Sequence, residues 1–331
     1  MRAVVITRHG GPEVLQVQER PEPRPGPGEI AIDVAAAGVA FADVMARLGL
    51  YPEAPKPPCV VGYEVSGTVA AVGDGVTAHA AGDRVMAPTR FSGYSERVVV
   101  PAVDAIGLPE GLSFEEGAAF PINYSTAWAG LVRYGALEDG ERVLIHAAAG
   151  GVGIAATQIA ARRGAEIWGT ASPGKHDAIR SVGVEHPLDY TRRGWERGLP
   201  GMDVVMDAIG GRSFRRSYRL LRGGGRLVAF GAASVVAGER RNLVAAGRAA
   251  LSMPRFNLIS QMSASKSVIG LNMLALWDQA GTIEPWVAPL RELLDAGVRP
   301  LVAQAVPFAR AAEAHEAITS RRNVGKVVLV P

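Results

Sequence analysis

Residues 142–159, RVLIHAAAGGVGIAATQI, constrain the fold more than any other stretch of the chain. Val143, Leu144 and Ile145 form a short apolar run of the kind buried in a parallel sheet. Ala148, Gly150, Gly151 and Gly153 follow at once, and Ile154, Ala155, Ala156, Ile159 and Ala160 then recur at helical spacing. Strand, glycine-rich turn and helix in that order are the context a dinucleotide fingerprint requires. A turn without Cβ atoms lets the backbone approach a pyrophosphate closely. The helix behind it aims free N–H groups and a positive dipole end at the same phosphate. The expected contacts in the turn are Ala149, Gly150, Gly151, Val152 and Gly153. The first glycine of G-x-G-x-x-G is Ala148 here. Small residues in such turns also serve tight packing alone, so the flanking strand and helix carry the nucleotide reading.

A chain of 331 residues is too long for one ordinary core, so two domains are expected. The first third offers short strand candidates at 3–7, 15–18, 30–36, 67–72, 84–87 and 97–100, separated by turn clusters such as the proline-rich 21–28. From about Ser125 the pattern changes. Strand 143–146 leads into a helix, strand 166–170 into a helix begun by Ser172-Pro173, strand 203–206 into a helix over 214–221, and strand 226–230 follows. Ser172 suits a helix cap and Pro173 the first helical position. Alternating β and α argues for an α/β fold with a doubly wound parallel sheet, beside a β-rich domain. Strand 268–271, helices at 287–296 and 309–320 and a last strand at 326–330 complete the chain. Segment 240–266 carries Leu243, Val244, Leu251, Met253, Phe256, Leu258, Ile259 and Met262 amid a few basic residues. It reads as a core-facing helix plus loop; a lid or a membrane-surface patch is the alternative.

Composition narrows the function classes. Hydrophobic residues make up 48% and charged residues 20%, the balance of a globular protein. The net charge of +3 is spread thinly, with Arg215-Arg216 and Arg240-Arg241 the densest basic runs, which argues against a nucleic-acid face. The single cysteine, Cys59, excludes a disulfide within the chain and a cysteine-built metal cluster. The chain starts on strand-like residues with no signal peptide, and no apolar run is long enough to span a bilayer. A cytoplasmic location without stable membrane insertion is expected.

NAD sites usually carry Asp or Glu at the end of the second strand, about 20 residues after the glycines. The corresponding stretch here is Gly169-Thr170-Ala171-Ser172-Pro173-Gly174-Lys175, without an acid. A carboxylate repels a 2′-phosphate, whereas a hydroxyl and an ammonium hold one. NADPH is the expected cofactor, with Ser172 and Lys175 as phosphate ligands, Thr170 beside them and Tyr190 flanking the adenine ribose. Taken singly, Ser172 is also an ordinary cap and Lys175 an ordinary solvated residue.

Further motifs run along the chain. They are Gly38-Val39-Ala40-Phe41-Ala42-Asp43 with Arg47, Gly49 and Tyr51; Gly62-Tyr63-Glu64, Gly67 and Val72-Gly73; Ala81-Gly82-Asp83-Arg84-Val85; and Asn123-Tyr124-Ser125-Thr126-Ala127-Trp128. Together they resemble the medium-chain dehydrogenase/reductase superfamily over essentially the whole chain, and within it the zinc-independent quinone oxidoreductases. Residues 147–153, 169–172 with Lys175-His176, Arg241-Asn242-Leu243 and Asn323-Val324-Gly325-Lys326-Val327 are most similar to the vesicle amine transport protein subfamily. The resemblance implies a GroES-like catalytic domain from both chain ends, 1–124 and 265–331, and a Rossmann dinucleotide-binding domain at 125–264. It also implies cofactor contacts at Phe41, Asp43, Thr126, Phe230, Gly231, Ala232, Gly270, Leu271, Asn272 and Asn323; the alternative for Asp43 is simply to order its loop. Zinc-dependent relatives place metal ligands where this chain has Ala40, Tyr63 and a residue near Ile122, and catalytic zinc needs about three protein ligands. The six histidines, His9, His79, His146, His176, His186 and His315, have no ligand-like spacing, so no metal is expected. Many zinc-free members carry Asn where Ala40 stands, near the nicotinamide end of the cofactor.

The reaction this resemblance implies is hydride transfer from NADPH to a quinone or an α,β-unsaturated carbonyl, the cofactor carrying the difficult chemistry. Without a metal, charge developing on the acceptor oxygen needs a hydrogen-bond donor. Tyr51 and Tyr63 are the expected catalytic donors, in loops that the resemblance puts beside the nicotinamide; plain aromatic packing is their alternative. Two other functions stay open: an NADPH-binding trafficking or binding protein with little turnover, and an enoyl-thioester reductase. The resemblance further implies a homodimer through the nucleotide domains, covering the sheet edge near 268–271.

Overall fold

A computed structural model describes residues 1–331 as two compact units. The first comprises Met1–Asn123, Gly238–Arg241 and Leu274–Pro331; the second comprises Tyr124–Ala237 and Asn242–Met273.

The spine of the first unit is the strand Glu29–Val39, whose Ile30, Ile32 and Val34 are buried. It pairs antiparallel with Glu64–Val72, Arg97–Pro101 and the C-terminal Lys326–Val330. Val327 stands opposite Val39 and Leu329 opposite Ala37, so both chain ends build one sheet. Val302–Pro307 runs parallel outside the C-terminal strand. Arg84–Pro88 and Ile106–Gly107 extend the far side. A smaller sheet of Leu15–Glu19, Arg2–Ile6 and Cys59–Val60 shares the core, in which Val4, Ile6, Ile32, Val65, Val85 and Leu329 pack. Gly38 is required in the spine. A Cβ there would press on the Ala118 carbonyl oxygen and lie 2.7 Å from Glu64 Cγ and 2.8 Å from Lys326 Cε. Glu64 and Lys326 form a buried ion pair.

The second unit holds six parallel strands in the order His186–Asp189, Glu166–Ala171, Arg142–Ile145, Met202–Asp207, Leu221–Ala229, Ser267–Gly270. Counted along this unit the order is 3-2-1-4-5-6, the doubly wound arrangement. Such sheets bind ligands outside the carboxyl ends of the strands, where the order reverses. The reversal lies between Arg142–Ile145 and Met202–Asp207. Val143, Leu144, Ile145, Val204, Val205 and Met206 are buried, as strands covered on both faces demand.

Several expectations change. Strand Ser267–Gly270 pairs with Leu221–Ala229, so the second unit runs on to Met273 and does not stop at 264. The two helices of segment 240–266 are not core-facing, although Phe256 between them packs against the core around Leu221 and Leu227. Those helices, Leu243–Leu251 and Leu258–Ala264, bury no residue, and Leu251 is 88% exposed. Periodicity marks an apolar stripe but does not say that a surface faces it. The helix expected over 287–296 is two, Glu284–Val287 and Leu290–Asp295, with Pro289 at the break. Helix Phe41–Leu48 and strands His186–Asp189 and Val302–Pro307 add to the expected elements; the two strands are sheet-edge segments with little alternation to mark them. No helix is long and apolar enough to cross a membrane.

Candidate functional site

Strand Arg142–Ile145 runs into His146, and the chain then turns at Ala147, whose φ is +53°. A side chain crowds the backbone in that left-handed region, so the turn needs support. The Thr170 hydroxyl accepts the Ala147 N–H at 3.2 Å, and the Thr170 carbonyl accepts the Ala148 N–H at 3.0 Å. The Ala147 carbonyl accepts the Gly150 N–H at 2.8 Å. Helix Gly151–Arg162 starts immediately, with Gly150 as its cap and no side chain closing its first turn. Amides there have no intrahelical acceptor, and they offer an anion a place to dock. Gly153 is required for contact between helix and turn, because a Cβ would press on the Ala147 carbonyl oxygen and lie 2.7 Å from Ala148 Cα. Ala148 has room for its own methyl because Gly169 opposes it: a Cβ on Gly169 would stand 2.9 Å from Ala148 Cβ. The departure from the glycine pattern is thus offset on the neighbouring strand.

In this unit the other candidates, Thr126 apart, also lie at the carboxyl ends of parallel strands. Strand Glu166–Ala171 ends without an acid at Ser172, whose side chain makes no capping bond. Lys175 is half-buried, and burial pushes its ammonium below the ordinary lysine range. Tyr190 follows strand His186–Asp189 and is exposed. Next to it a cavity of about 480 Å³ is lined by His176, Leu188, Asp189, Arg192, Arg193 and Trp195, among others. Phe230, Gly231 and Ala232 leave strand Leu221–Ala229; the Phe230 N–H donates to the Asp207 carbonyl at 3.1 Å. Gly270 and Asn272 are exposed after strand Ser267–Gly270, and the buried Leu271 donates its N–H to the Ala229 carbonyl at 2.9 Å. Thr126 is buried on helix Pro121–Trp128. Thr170 is buried too, its hydroxyl spent on the turn.

In the first unit, Tyr63 is 6% exposed and its buried hydroxyl has no partner. Tyr51 meets it edge to face at 6.3 Å between ring centroids, and Phe91 lies 5.2 Å away. Burial pushes both phenols above their ordinary range, which keeps them protonated donors at neutral pH. Asp43 has the loop-ordering surroundings that its alternative reading expects. It is wholly buried, and its carboxylate accepts the Ala40 N–H at 2.7 Å, the Gly62 N–H at 3.0 Å and the Tyr94 O–H at 2.9 Å. It therefore closes the start of helix Phe41–Leu48 and ties two loops to it. Burial pushes that carboxyl up to about 6. Tyr94 also lies 3.4 Å from His315 Nε2, and burial pushes His315 down to about 3. Phe41 is half-exposed at the first turn of the helix. The Asn323 amide donates to the Gly325 carbonyl at 2.8 Å, which stabilises the turn into the last strand. Tyr94, His315, His146 and Asp207 were not singled out from the sequence; Tyr94 and His315 stand 221 residues apart, and no local spacing marks such partners.

Ala40 and Ile122 offer a metal no side-chain donor, and nowhere do three or more His, Cys, Asp or Glu gather in a way that could hold one. Residues 26–121 match the alcohol dehydrogenase GroES-like domain and residues 182–329 the zinc-binding dehydrogenase family. The side chains here do not fit the metal in that second description. Over 340 aligned residues the chain is 38% identical to the human synaptic vesicle membrane protein VAT-1 homolog, spanning 100% of this chain and 86% of that one. The quinone oxidoreductase of Thermus thermophilus, solved also with NADPH, superposes with a TM-score of 0.81 at 34% identity, covering 100% of both chains. The CurK enoyl reductase gives 0.85 at 27% identity, covering 99% of this chain and 98% of that one. Likeness of this extent, together with a doubly wound parallel sheet and a β-rich unit built from both chain ends, makes the chain a member of the medium-chain dehydrogenase/reductase superfamily, on the side of the VAT-1 homologs and the quinone oxidoreductases.

Proposed function

We propose that this member of an oxidoreductase family uses NADPH to reduce a quinone or an α,β-unsaturated carbonyl, without a metal. The observation that carries the cofactor choice is the end of strand Glu166–Ala171, where Ser172 and Lys175 stand and no carboxylate does. The second unit is the dinucleotide domain in this reading. Its turn at 147–153 takes the pyrophosphate, and Ser172, Lys175 and Tyr190 take the 2′-phosphate and ribose. Bound NADPH supplies the hydride. The chain's own contribution is to orient the cofactor and to stabilise charge on the acceptor oxygen. Tyr63, with a buried and unpartnered hydroxyl, and its neighbour Tyr51 supply that hydrogen bond. Relatives solved as a quinone oxidoreductase with NADPH and as an enoyl reductase support both halves of the reading.

The test is NADPH oxidation against a panel of quinones, enones and enoyl thioesters, run beside NADH. Turnover of quinones or enones with NADPH is the expected result. Tyr51→Phe or Tyr63→Phe should then lower the rate on enones by about 10²–10³ for the tyrosine that donates. Turnover confined to enoyl thioesters would move the acceptor to that class.

A second reading, a binding protein with little turnover, is favoured by one observation. Helices Leu243–Leu251 and Leu258–Ala264 expose Leu243, Val244, Leu251, Leu258, Ile259 and Met262. No acid occurs between Glu239 and Asp278, whereas Arg240, Arg241, Arg248, Arg255 and Lys266 do. Apolar side chains among basic ones suit an anionic lipid surface. Pelleting with phosphatidylcholine vesicles, with and without phosphatidylserine, tests it; no difference between the two would remove this reading.

A further inference from the structure

Beside the turn lies a buried polar chain that no part of the proposed chemistry uses. Asp207 ends the strand Met202–Asp207, across the point where the strand order reverses, and is wholly buried. One carboxylate oxygen accepts the Ile209 N–H at 2.7 Å and the Gly210 N–H at 3.4 Å. The other accepts the hydroxyls of Ser213 at 2.8 Å and Ser217 at 2.7 Å. Four donors converge on this group, so it is an acceptor only. Ser217 Oγ also lies 3.0 Å from His146 Nε2. Its single proton is committed to Asp207, so the serine oxygen must accept from His146, and Nε2 must carry a hydrogen. Burial holds His146 below the ordinary imidazole range, so the ring is neutral and its Nδ1 is bare. Nδ1 stands 3.2 Å from Thr170 Oγ1 and accepts that hydroxyl proton. Thr170 Oγ1 in turn accepts the Ala147 N–H at 3.2 Å. Every hydrogen bond from Ala147 to Asp207 thereby has one direction.

We infer that Asp207, acting through Ser217, His146 and Thr170, is a positioning residue for the dinucleotide turn: it selects the His146 tautomer that lets Thr170 hold Ala147 in its left-handed conformation. The inference rests on the reading of 147–153 as the cofactor turn. It adds Asp207, Ser217 and His146 to that site as residues that touch no cofactor but set its geometry. An orienting carboxylate acts on histidine in the same way in hydrolytic triads, where the amide variant leaves the wrong tautomer.

Asp207→Asn is the informative change. The amide still accepts from Ile209 but donates toward Ser217, whose proton is then free to point at His146 Nε2, and the histidine must move its hydrogen to Nδ1. The experiment is ¹⁵N NMR of histidine-labelled full-length protein without nucleotide, with His146 assigned by difference from His146→Gln. NADPH titration by fluorescence is run in parallel. Wild type should show a neutral ring protonated at Nε2, Asp207→Asn a ring protonated at Nδ1, and NADPH should bind the variant about three- to tenfold more weakly. Thr170→Val should weaken NADPH similarly without moving the tautomer, and Thr170→Ser should restore affinity. A wild-type ring protonated at Nδ1, or an Asp207→Asn protein with unchanged tautomer or affinity, overturns the inference. If Asp207→Asn does not fold, Thr170→Val binding NADPH as wild type does overturns it instead. A wild-type protein that binds no dinucleotide removes the cofactor reading and the relay's role together, whereas normal binding with the opposite tautomer removes the relay alone.

Discussion

Lys175 and His315 show how differently single residues declare themselves. Lys175 stands close in the chain to the glycine turn, so its proposed task follows from local spacing. Lys175→Ala should weaken NADPH by ~1–3 kcal/mol, the worth of a charge-assisted contact, and leave NADH nearly unchanged. Fluorescence titration with both cofactors checks this, and equal losses for the two would remove the assignment. His315 carries no such mark, because its ring is explained only by Tyr94 and the buried surroundings. Its value near 3 in the fold lies below the ordinary 6.5, so the unfolded chain takes up the proton first as pH falls. Stability from this group is complete above pH 6.5 and is lost as pH drops toward 3. Thermal unfolding of His315→Gln should accordingly depend less steeply on pH in that window. Asp43 has the opposite sign. Its carboxyl sits near 6 against the usual 3.8, so its burial costs stability as pH rises through that interval.

Among the elements, the strand–turn–helix at 142–159 was legible because its signals are local: a three-residue apolar run, small residues and a helical repeat. Its exact demands were not. Only the packed helix shows that Gly153 is the position a methyl cannot share, while a Cβ on Gly150 would meet nothing nearer than the Ala147 oxygen at 3.3 Å. Gly153→Ala should cost about 1–3 kcal/mol by forcing helix and turn apart, read from denaturant midpoints, with NADPH affinity falling alongside. Segment 240–266 teaches the converse. Its apolar residues read as a core stripe, yet Leu258, Ile259 and Met262 all face outward, at 71%, 73% and 70% exposure. Leu251→Gln should therefore change stability by no more than about 0.5 kcal/mol, and a larger loss on unfolding would show that the helix is covered in solution.

For the whole molecule, two expectations remain to be measured. Strand Ser267–Gly270 ends the six-stranded sheet with an unpaired edge, which proteins tend to cover, and a homodimer through it is proposed. Light scattering at micromolar concentration should give twice the chain mass; a monomer would exclude that pairing. Elemental analysis should find no stoichiometric zinc, since Ala40 and Ile122 bring no ligand to it. The amino-acid order by itself determined the parallel sheet, the glycine-rich turn between strand and helix, the missing acid after Thr170 and the family, because strand period, glycine placement and charge are properties of neighbours along the chain. Tertiary structure alone decided that Asp43 meets Gly62 and Tyr94, that His146 is locked between Ser217 and Thr170, and that Leu251 and Leu258 lie bare while Phe256 packs inward. Each of those depends on which distant surface arrives, or fails to arrive, against a side chain: Ser217 reaches His146 across 71 residues, and nothing arrives over Leu251.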